Sequence, residues 1–188
     1  MMQAIAKLPI MLKELKLHMF AQNWQPLIDE ASENDWGYDD YLAILSEMEM
    51  DDKNTKRIKR YLKQSGVNTS KTLSSFKFDA NKSINKQQIC SLASNTSWVH
   101  DANNIVLIGP SGVGKTHLAM AIGHGLIERG IRVLFKSALS LVQELQLAKK
   151  QLELTKFISR LNHYQVVIID DLGYVKKDEV EQLLLYLN

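Results

Sequence analysis

The sequence predicts an α/β fold in which a parallel sheet follows an all-α N-terminal region. Residues 9–33, 38–64 and 84–99 carry apolar side chains at helical spacing. From Asn103 onward, short apolar runs alternate with helical stretches, a pattern typical of a parallel sheet with right-handed crossovers. Between the two regions, residues 67–83 are rich in Ser, Thr and Asn, as linkers are. We therefore expect a helical region at 1–66, a linker at 67–83 and an α/β region at 84–188.

The N-terminal region is expected to consist of amphipathic helices. Pro9 suits the first turn of the helix at 9–33, because that position needs no N–H donor. The apolar face of this helix comprises Leu12, Leu15, Met19 and Phe20. A turn is expected at 34–37, followed by one or two helices over 38–64. A further helix is expected over 84–99, after the linker and at the start of the region 84–188.

The α/β region is expected to alternate strands and helices. Its apolar runs predict strands at 105–108, 132–136 and 165–169. Helices are predicted at 115–129 with Gly130 as C-cap, from Ser137 as N-cap, at about 152–162, and from about Lys177 to the end.

Residues 109–116, Gly-Pro-Ser-Gly-Val-Gly-Lys-Thr, match the phosphate-loop pattern G-x-x-x-x-G-K-[ST] at every fixed position. The glycines let backbone N–H groups approach phosphates, and the following helix adds about half a positive charge. Lys115 is expected to reach the β- and γ-phosphates, and the Thr116 hydroxyl is expected to ligate Mg²⁺. The predicted cofactor-binding residues are Gly109, Pro110, Ser111, Gly112, Val113, Gly114, Lys115, Thr116 and His117.

The run Val166 to Ile169 is followed by Asp170 and Asp171, so a buried strand would deliver two carboxylates at its C-terminal edge. We expect Asp170 to be the Mg²⁺ partner, through water. Asp171 stands where a hydrolytic NTPase places the carboxylate that orients the attacking water. The predicted catalytic residues are therefore Asp171 and Lys115.

Charge is unevenly distributed although the net charge is only +2. Residues 28–52 hold ten acidic residues and no basic one, whereas residues 53–82 hold nine basic residues and one acidic one. The basic stretch also carries Tyr61, Phe76 and Phe78, which could stack on bases, and this indicates nucleic-acid contact. The alternative is two solvated faces that pair with each other. The candidate nucleic-acid contacts are Lys56, Arg57, Lys59, Arg60 and Lys63.

Other function classes are disfavoured by composition. A single cysteine, Cys90, allows no intrachain disulfide and no zinc cluster, and is expected to be a buried or half-buried apolar residue. No apolar stretch reaches 18 residues, and residues 1–16 carry lysines throughout, unlike a secretory signal. We expect a cytoplasmic protein with no membrane partner.

Several segments together resemble the IstB-like ATP-binding proteins, AAA+ relatives of the DnaC helicase loader. The resemblance covers nearly the whole chain and is jointly specific, whereas the phosphate loop alone would not be. It rests on residues 104–123, Gly130–Phe135 and Ile168–Tyr174, and on Leu15–Met19, Thr72–Phe78 and Trp98 of the N-terminal side.

The resemblance implies a P-loop NTPase sheet of AAA+ type that binds ATP with Mg²⁺ and helps DNA transposition. Family members look like clamp-forming ATPases that assemble on DNA as homo-oligomers and deliver or activate a transposase. His117 would be a family residue of the helix, and a buried or capping role is expected for it. A DnaC-like replicative helicase loader and an inactive ATP-binding remnant remain alternatives. A small-molecule kinase is disfavoured, because no arginine cluster follows the loop.

The family pattern continues beyond the Asp-Asp strand, with a polar sensor residue and an arginine finger that this sequence lacks. The family's next strand lies between the strands expected at 105–108 and 165–169, so the sheet would have a gap at its centre. We therefore expect a C-terminally truncated or frameshifted copy, or the front part of a split reading frame. Hydrolysis by such a chain would be slow, and its fold would be weakened.

Overall fold

The computed structural model describes residues 2–80 and 84–174, together with Lys176, Asp178 and Glu179. The chain divides into two compact units, Met1–Arg57 and Ile58–Asn188. The predicted α/β class is confirmed: the described residues are mostly helical, with a small parallel sheet. None of the helices within the described ranges is long and apolar enough to cross a membrane. The helix predicted from about Lys177 lies mainly outside the described residues.

Four helices form the N-terminal part of the chain. They are α1 (Met2–Glu14), α2 (His18–Asn23), α3 (Pro26–Glu33) and α4 (Tyr38–Ser65), and the boundary between the two units falls inside α4. The prediction that Pro9 begins a helix was wrong, because α1 starts at Met2 and continues through it. The preceding residues are good helix formers, and their propensity outweighs the one backbone bond that proline cannot make.

The single helix expected at 9–33 is three helices. Lys16 ends α1 with a left-handed backbone (φ 57°), and the N–H of Leu17 donates to the carbonyl of Leu12 across that turn. Glycine usually takes this geometry at the end of a helix, and because lysine stands here instead, no residue type marked the end of α1. Pro26 opens α3, at the position that proline favours.

A buried carboxylate organises the first unit. Glu49, on α4, is only 3% exposed and accepts the backbone N–H of Met19 at 2.8 Å, at the start of α2. The ammonium of Lys53 lies 3.3 Å from the other carboxylate oxygen. Burial raises the pKa of Glu49, but the Met19 and Phe20 N–H groups and Lys53 outweigh it, so the net pKa lies below its ordinary value. The charged form therefore stabilises this unit.

The second unit contains the sheet. Its elements are a 3₁₀ turn (Phe78–Ala80), α5 (Lys86–Ser94), α6 (Ser97–His100), α7 (Lys115–Glu128), β1 (Val133–Ser137), α8 (Ala138–Lys150), α9 (Leu154–Leu161), β2 (Val166–Asp170) and a 3₁₀ turn (Leu172–Tyr174). The helix expected at 84–99 is two helices, because Asn95 and Thr96 interrupt it. Ser137 caps α8 as predicted, accepting the N–H of Ser140 at 3.2 Å. Gly130 ends α7 with φ 85°, also as predicted.

The two strands are parallel, with Val133 opposite Val166 and Ser137 opposite Asp170. Side chains alternate between the two faces of the sheet. One face packs against α7, and its core includes Leu118, Ile122, Leu126, Val133 and Ile168. The other face packs against α8 and α9, and its core includes Leu134, Leu141, Val142, Phe157 and Leu161. The sheet therefore lies between two helical layers, as expected for this class.

The prediction of a strand at 105–108 was wrong. These residues belong to neither strand, and the sheet within the described residues contains β1 and β2 alone. Val106 is 73% exposed and Ile108 is 91% exposed, although Leu107 packs against the core beside α7. A strand requires a neighbour that accepts and donates its backbone hydrogen bonds. An apolar β-branched run without such a neighbour does not become one.

Candidate functional site

The loop Gly109–Thr116 runs into α7, so that its last two residues, Lys115 and Thr116, are the first two of the helix. Gly114 precedes the helix with φ 95°, and Gly112 has φ 81°. Residues other than glycine rarely adopt these backbone conformations. No side chain among the described residues caps the first N–H groups of α7. Those groups and the helix dipole, about half a positive charge, favour an anion at this end.

Lys115 folds back over the loop that precedes it. Its ammonium donates to the carbonyl of Gly109 at 2.9 Å and to the carbonyl of Pro110 at 2.8 Å. These two bonds hold the loop in a tight curve around a positive charge. The same ammonium could exchange the carbonyls for anionic oxygens, which make stronger, charge-assisted bonds.

The two halves of the predicted site meet in the structure. The Thr116 hydroxyl donates to Oδ1 of Asp170 at 3.1 Å, across 54 residues of sequence. Asp170 is the last residue of β2, and α7 packs against this sheet, so the fold fixes both partners. Oxygen atoms of this kind are what Mg²⁺ prefers, so the pair fits a magnesium ion. Asp171 follows, exposed and with a left-handed backbone (φ 60°), which aspartate tolerates.

Helix α7 lies unusually close to the sheet. A Cβ atom at Gly123 would be 2.8 Å from Cδ1 of Ile168 and 3.3 Å from Cγ1 of Val133. The glycine therefore lets the helix approach the strands until its first turn reaches the end of β2. This close approach is part of what brings Thr116 within hydrogen-bond distance of Asp170.

The segment that precedes the 3₁₀ turn Phe78–Ala80 lies against the phosphate loop. The Phe76 ring lies against Gly114, where a Cβ atom would be 2.7 Å from Cε2 of the ring. Phe76 also meets Phe78 edge-to-face, with ring centroids 4.8 Å apart. An open pocket of about 600 Å³ lies here, lined by Phe76, Lys77, Phe78, Asp79 and Lys86. From the sequence, these two aromatic rings were candidates for stacking on nucleic-acid bases, and no contact with the phosphate loop was predicted for them.

His117 contacts the same segment. Its Nε2 lies 3.0 Å from the carbonyl of Thr72 and 3.1 Å from the Ser75 hydroxyl, and its ring meets Phe76 edge-on. The ring is half-buried. Sequence reasoning placed His117 at the end of the cofactor-binding set but missed this contact, because the two segments are about 45 residues apart.

The five candidate nucleic-acid residues all lie exposed on α4. Lys56 pairs with Asp52 at 2.7 Å, one turn earlier, and Arg57 donates to Asn54. The guanidinium of Arg60 lies over the Tyr61 ring, 5.4 Å from its centroid. Of these five side chains, Lys56 is thus paired with an acidic residue of the preceding stretch, which is the kind of pairing that the alternative interpretation describes. Such exposed pairs are worth little and exchange readily.

The three arginines that follow the loop have partners elsewhere. Arg129 donates to the carbonyl of Gly125, and the Nε of Arg132 donates to the Tyr61 hydroxyl. The guanidinium of Arg160 lies 5.9 Å from the centroid of the Phe157 ring. Each is accounted for by a contact within the fold.

Comparison with known proteins places this geometry in a family. The family model described as IstB-like ATP binding protein matches residues 10–187. The chain belongs to this family. The IstB-like resemblance inferred from the sequence is therefore confirmed.

Three relatives are named as insertion sequence ATP-binding proteins. The chain is 40% identical over 181 residues to one from Sinorhizobium fredii, covering 96% of this chain and 61% of the relative. It is 34% identical over 164 residues to the IS5376 protein of Geobacillus stearothermophilus, covering 87% and 65%. It is 29% identical over 180 residues to the IS21 protein of Pseudomonas aeruginosa, covering 96% and 68%. The chain thus spans less than two thirds of the length of the Sinorhizobium and Geobacillus relatives and about two thirds of the length of the Pseudomonas relative.

Proposed function

We propose that this IstB-like chain binds ATP with Mg²⁺ at the loop Gly109–Thr116 and acts as an ATP-binding helper in DNA transposition. The observation that carries the proposal is the hydrogen bond between Thr116 and Asp170, which joins the phosphate loop to the end of β2. The names of the relatives support the same role, since they are ATP-binding proteins of insertion sequences.

In this proposal the backbone of residues 109–114 and the first turn of α7 hold the phosphates, with Pro110, Ser111 and Val113 shaping the loop. Lys115 leaves the carbonyls of its own loop to contact the β- and γ-phosphates. Thr116 and Asp170 hold Mg²⁺, which when bound offsets the charge of the phosphate oxygens. The fold is then a P-loop NTPase of AAA+ type, of which the described residues show two parallel strands.

Asp171 is proposed to orient a water molecule for attack on the γ-phosphate. We propose that the isolated chain nevertheless hydrolyses ATP slowly, because Arg129, Arg132 and Arg160 are engaged away from the loop. Where an arginine from a neighbouring subunit stabilises the transferring group, it is worth about 10³–10⁵ in rate. A turnover typical of complete AAA+ ATPases at micromolar chain alone would contradict this proposal.

The transposition role requires contact with DNA, and we propose that Lys56, Arg57, Lys59, Arg60 and Lys63 supply it through phosphates. A transposase and further copies of the chain are the proposed protein partners. The proposed organisation is a helical region at 1–66, a linker at 67–83 and an ATP-binding domain at 84–188. A DnaC-like helicase loader is the second candidate. A transposase reading frame directly upstream supports transposition, whereas replication genes there support loading.

Calorimetric titration with ATP and Mg²⁺ tests the nucleotide site. Lys115→Ala removes a charge-assisted contact worth roughly 1.5–3 kcal/mol, so ATP affinity should fall about tenfold to a hundredfold. Lys156→Ala is the matched control, because Lys156 is exposed and its ion pair among the described residues is with the nearby Glu153, at 3.2 Å. Equal affinity of the wild type and Lys115→Ala would contradict the proposed site.

A further inference from the structure

We propose that His117 is a positioning residue that couples nucleotide binding in the loop to the order of the segment Thr72–Phe76. The inference rests on the proposed ATP site and adds to it a response outside the phosphate loop. It follows from three features of the structure: the hydrogen bonds of the ring, the hydrogen bonds within the segment, and a second contact at Gly114.

The first feature is the position of the ring. His117 is the third residue of α7, directly after Lys115 and Thr116. A carbonyl oxygen can only accept a hydrogen bond, so the bond to Thr72 requires the proton on Nε2. The imidazole therefore donates to Thr72, and the nearby Ser75 hydroxyl, at 3.1 Å, lies where it can share the same N–H. A shift of the helix start is passed to the segment through this bond.

The second feature is that the segment is held together by its own hydrogen bonds. The Thr72 N–H donates to the Ser75 hydroxyl at 3.0 Å, and that hydroxyl lies 2.8 Å from the Ser70 carbonyl, to which it donates. The Thr72 and Ser74 hydroxyls are 2.8 Å apart. Because these bonds close a compact turn, the turn responds as a unit when one of its carbonyls is held.

The third feature is a packing contact at the last glycine of the loop. Phe76 lies against Gly114 and meets the His117 ring with centroids 5.1 Å apart. Two points of the nucleotide site, one before and one after Lys115, thus contact the same five residues. Phosphate binding restricts the loop backbone, so it also restricts the segment. By thermodynamic reciprocity, whatever orders the segment favours nucleotide binding.

Hydrogen exchange of the full chain, with and without ATP and Mg²⁺, tests the coupling. ATP should slow amide exchange in peptides covering residues 70–78 of the wild type. His117→Phe keeps a ring beside Phe76 but removes the N–H donor, so the ATP-induced slowing should decrease by about threefold to tenfold, the value of one hydrogen bond. His117→Gln can donate an amide N–H to the same carbonyl and should restore most of the slowing.

His124→Gln is the matched control, because His124 lies further along α7 and pairs with Glu128 at 3.4 Å. It should leave the slowing unchanged. A merely structural role for His117 would lower the melting temperature of His117→Phe but preserve the ATP-induced slowing, and that result overturns the inference. Wild-type ATP binding by calorimetry without slowing at 70–78 overturns this inference alone. An absence of ATP binding overturns the proposed function as well.

Discussion

The contact between Phe76 and Gly114 allows a quantitative test of how tightly the loop is enclosed. In Gly114→Ala, the new methyl group would lie 2.7 Å from Cε2 and 3.3 Å from Cζ of the Phe76 ring. The backbone there has φ 95°, so alanine also adopts an unfavourable conformation. Gly112→Ala is a matched control: its φ is 81°, but a Cβ atom there meets nothing within 4 Å.

The two variants separate backbone strain from overpacking. A left-handed conformation costs alanine about 1–2 kcal/mol, and this cost applies to both. Overpacking adds about 1–3 kcal/mol to Gly114→Ala alone, because Phe78 and His117 hold the Phe76 ring in place. We expect the free energy of unfolding to fall by about 2–5 kcal/mol for Gly114→Ala and by about 1–2 kcal/mol for Gly112→Ala.

Denaturant unfolding of both variants and of the double variant Gly114→Ala/Phe76→Ala measures these differences. Removing the ring should make the loss of stability caused by Gly114→Ala similar to that caused by Gly112→Ala. Equal destabilisation of the two single variants in the presence of Phe76 would show that the ring imposes no penalty at Gly114.

Two further predictions concern charge. Because the pKa of Glu49 is lowered from 4.5, its stabilising effect is complete above that value and is lost as pH falls through the folded-state pKa. Glu49→Gln should lower the free energy of unfolding by about 1–3 kcal/mol at neutral pH and weaken the dependence of unfolding on acid pH. Acid unfolding followed by the fluorescence of Trp24 and Trp36 measures this change, and an unchanged acid transition would contradict it. For DNA, neutralising about four phosphates gives a slope of log affinity against log salt near −3 to −4. Reversing the charges of Lys56, Arg57, Lys59 and Arg60 should abolish most DNA binding, whereas reversing those of Lys149 and Lys150 on α8 should not. An affinity for DNA that does not depend on salt would contradict this prediction.

Local signals in the sequence were sufficient where the residue type itself fixes the conformation. Ser137 and Gly130 were identified as helix caps because their chemistry satisfies helix ends without help from distant residues. Thr116 and Asp170 were both expected at one Mg²⁺ site, since a phosphate loop and the carboxyl end of a neighbouring strand meet at one edge of a parallel sheet.

Features that depend on distant neighbours could not be predicted. Residues 105–108 have the composition of a strand, but pairing decides strand formation. Lys16 ends α1 in a conformation usually taken by glycine, because the surrounding fold outweighs its local preference. The contact of His117 with Thr72 depends on how the segment before the 3₁₀ turn lies against α7, and no local motif encodes that placement.

The magnesium dependence of ATP affinity in Asp170→Asn tests whether Thr116 and Asp170 hold the metal ion of the nucleotide site. Asparagine can still accept the hydrogen bond from Thr116 but lacks the charge that favours Mg²⁺. Calorimetry with and without Mg²⁺ should show that the variant loses about tenfold or more of the affinity gained from magnesium, while Asp171→Asn, the adjacent control, keeps that gain. If the ATP affinity of Asp170→Asn gains as much from Mg²⁺ as that of the wild type does, Thr116 and Asp170 do not form the metal site.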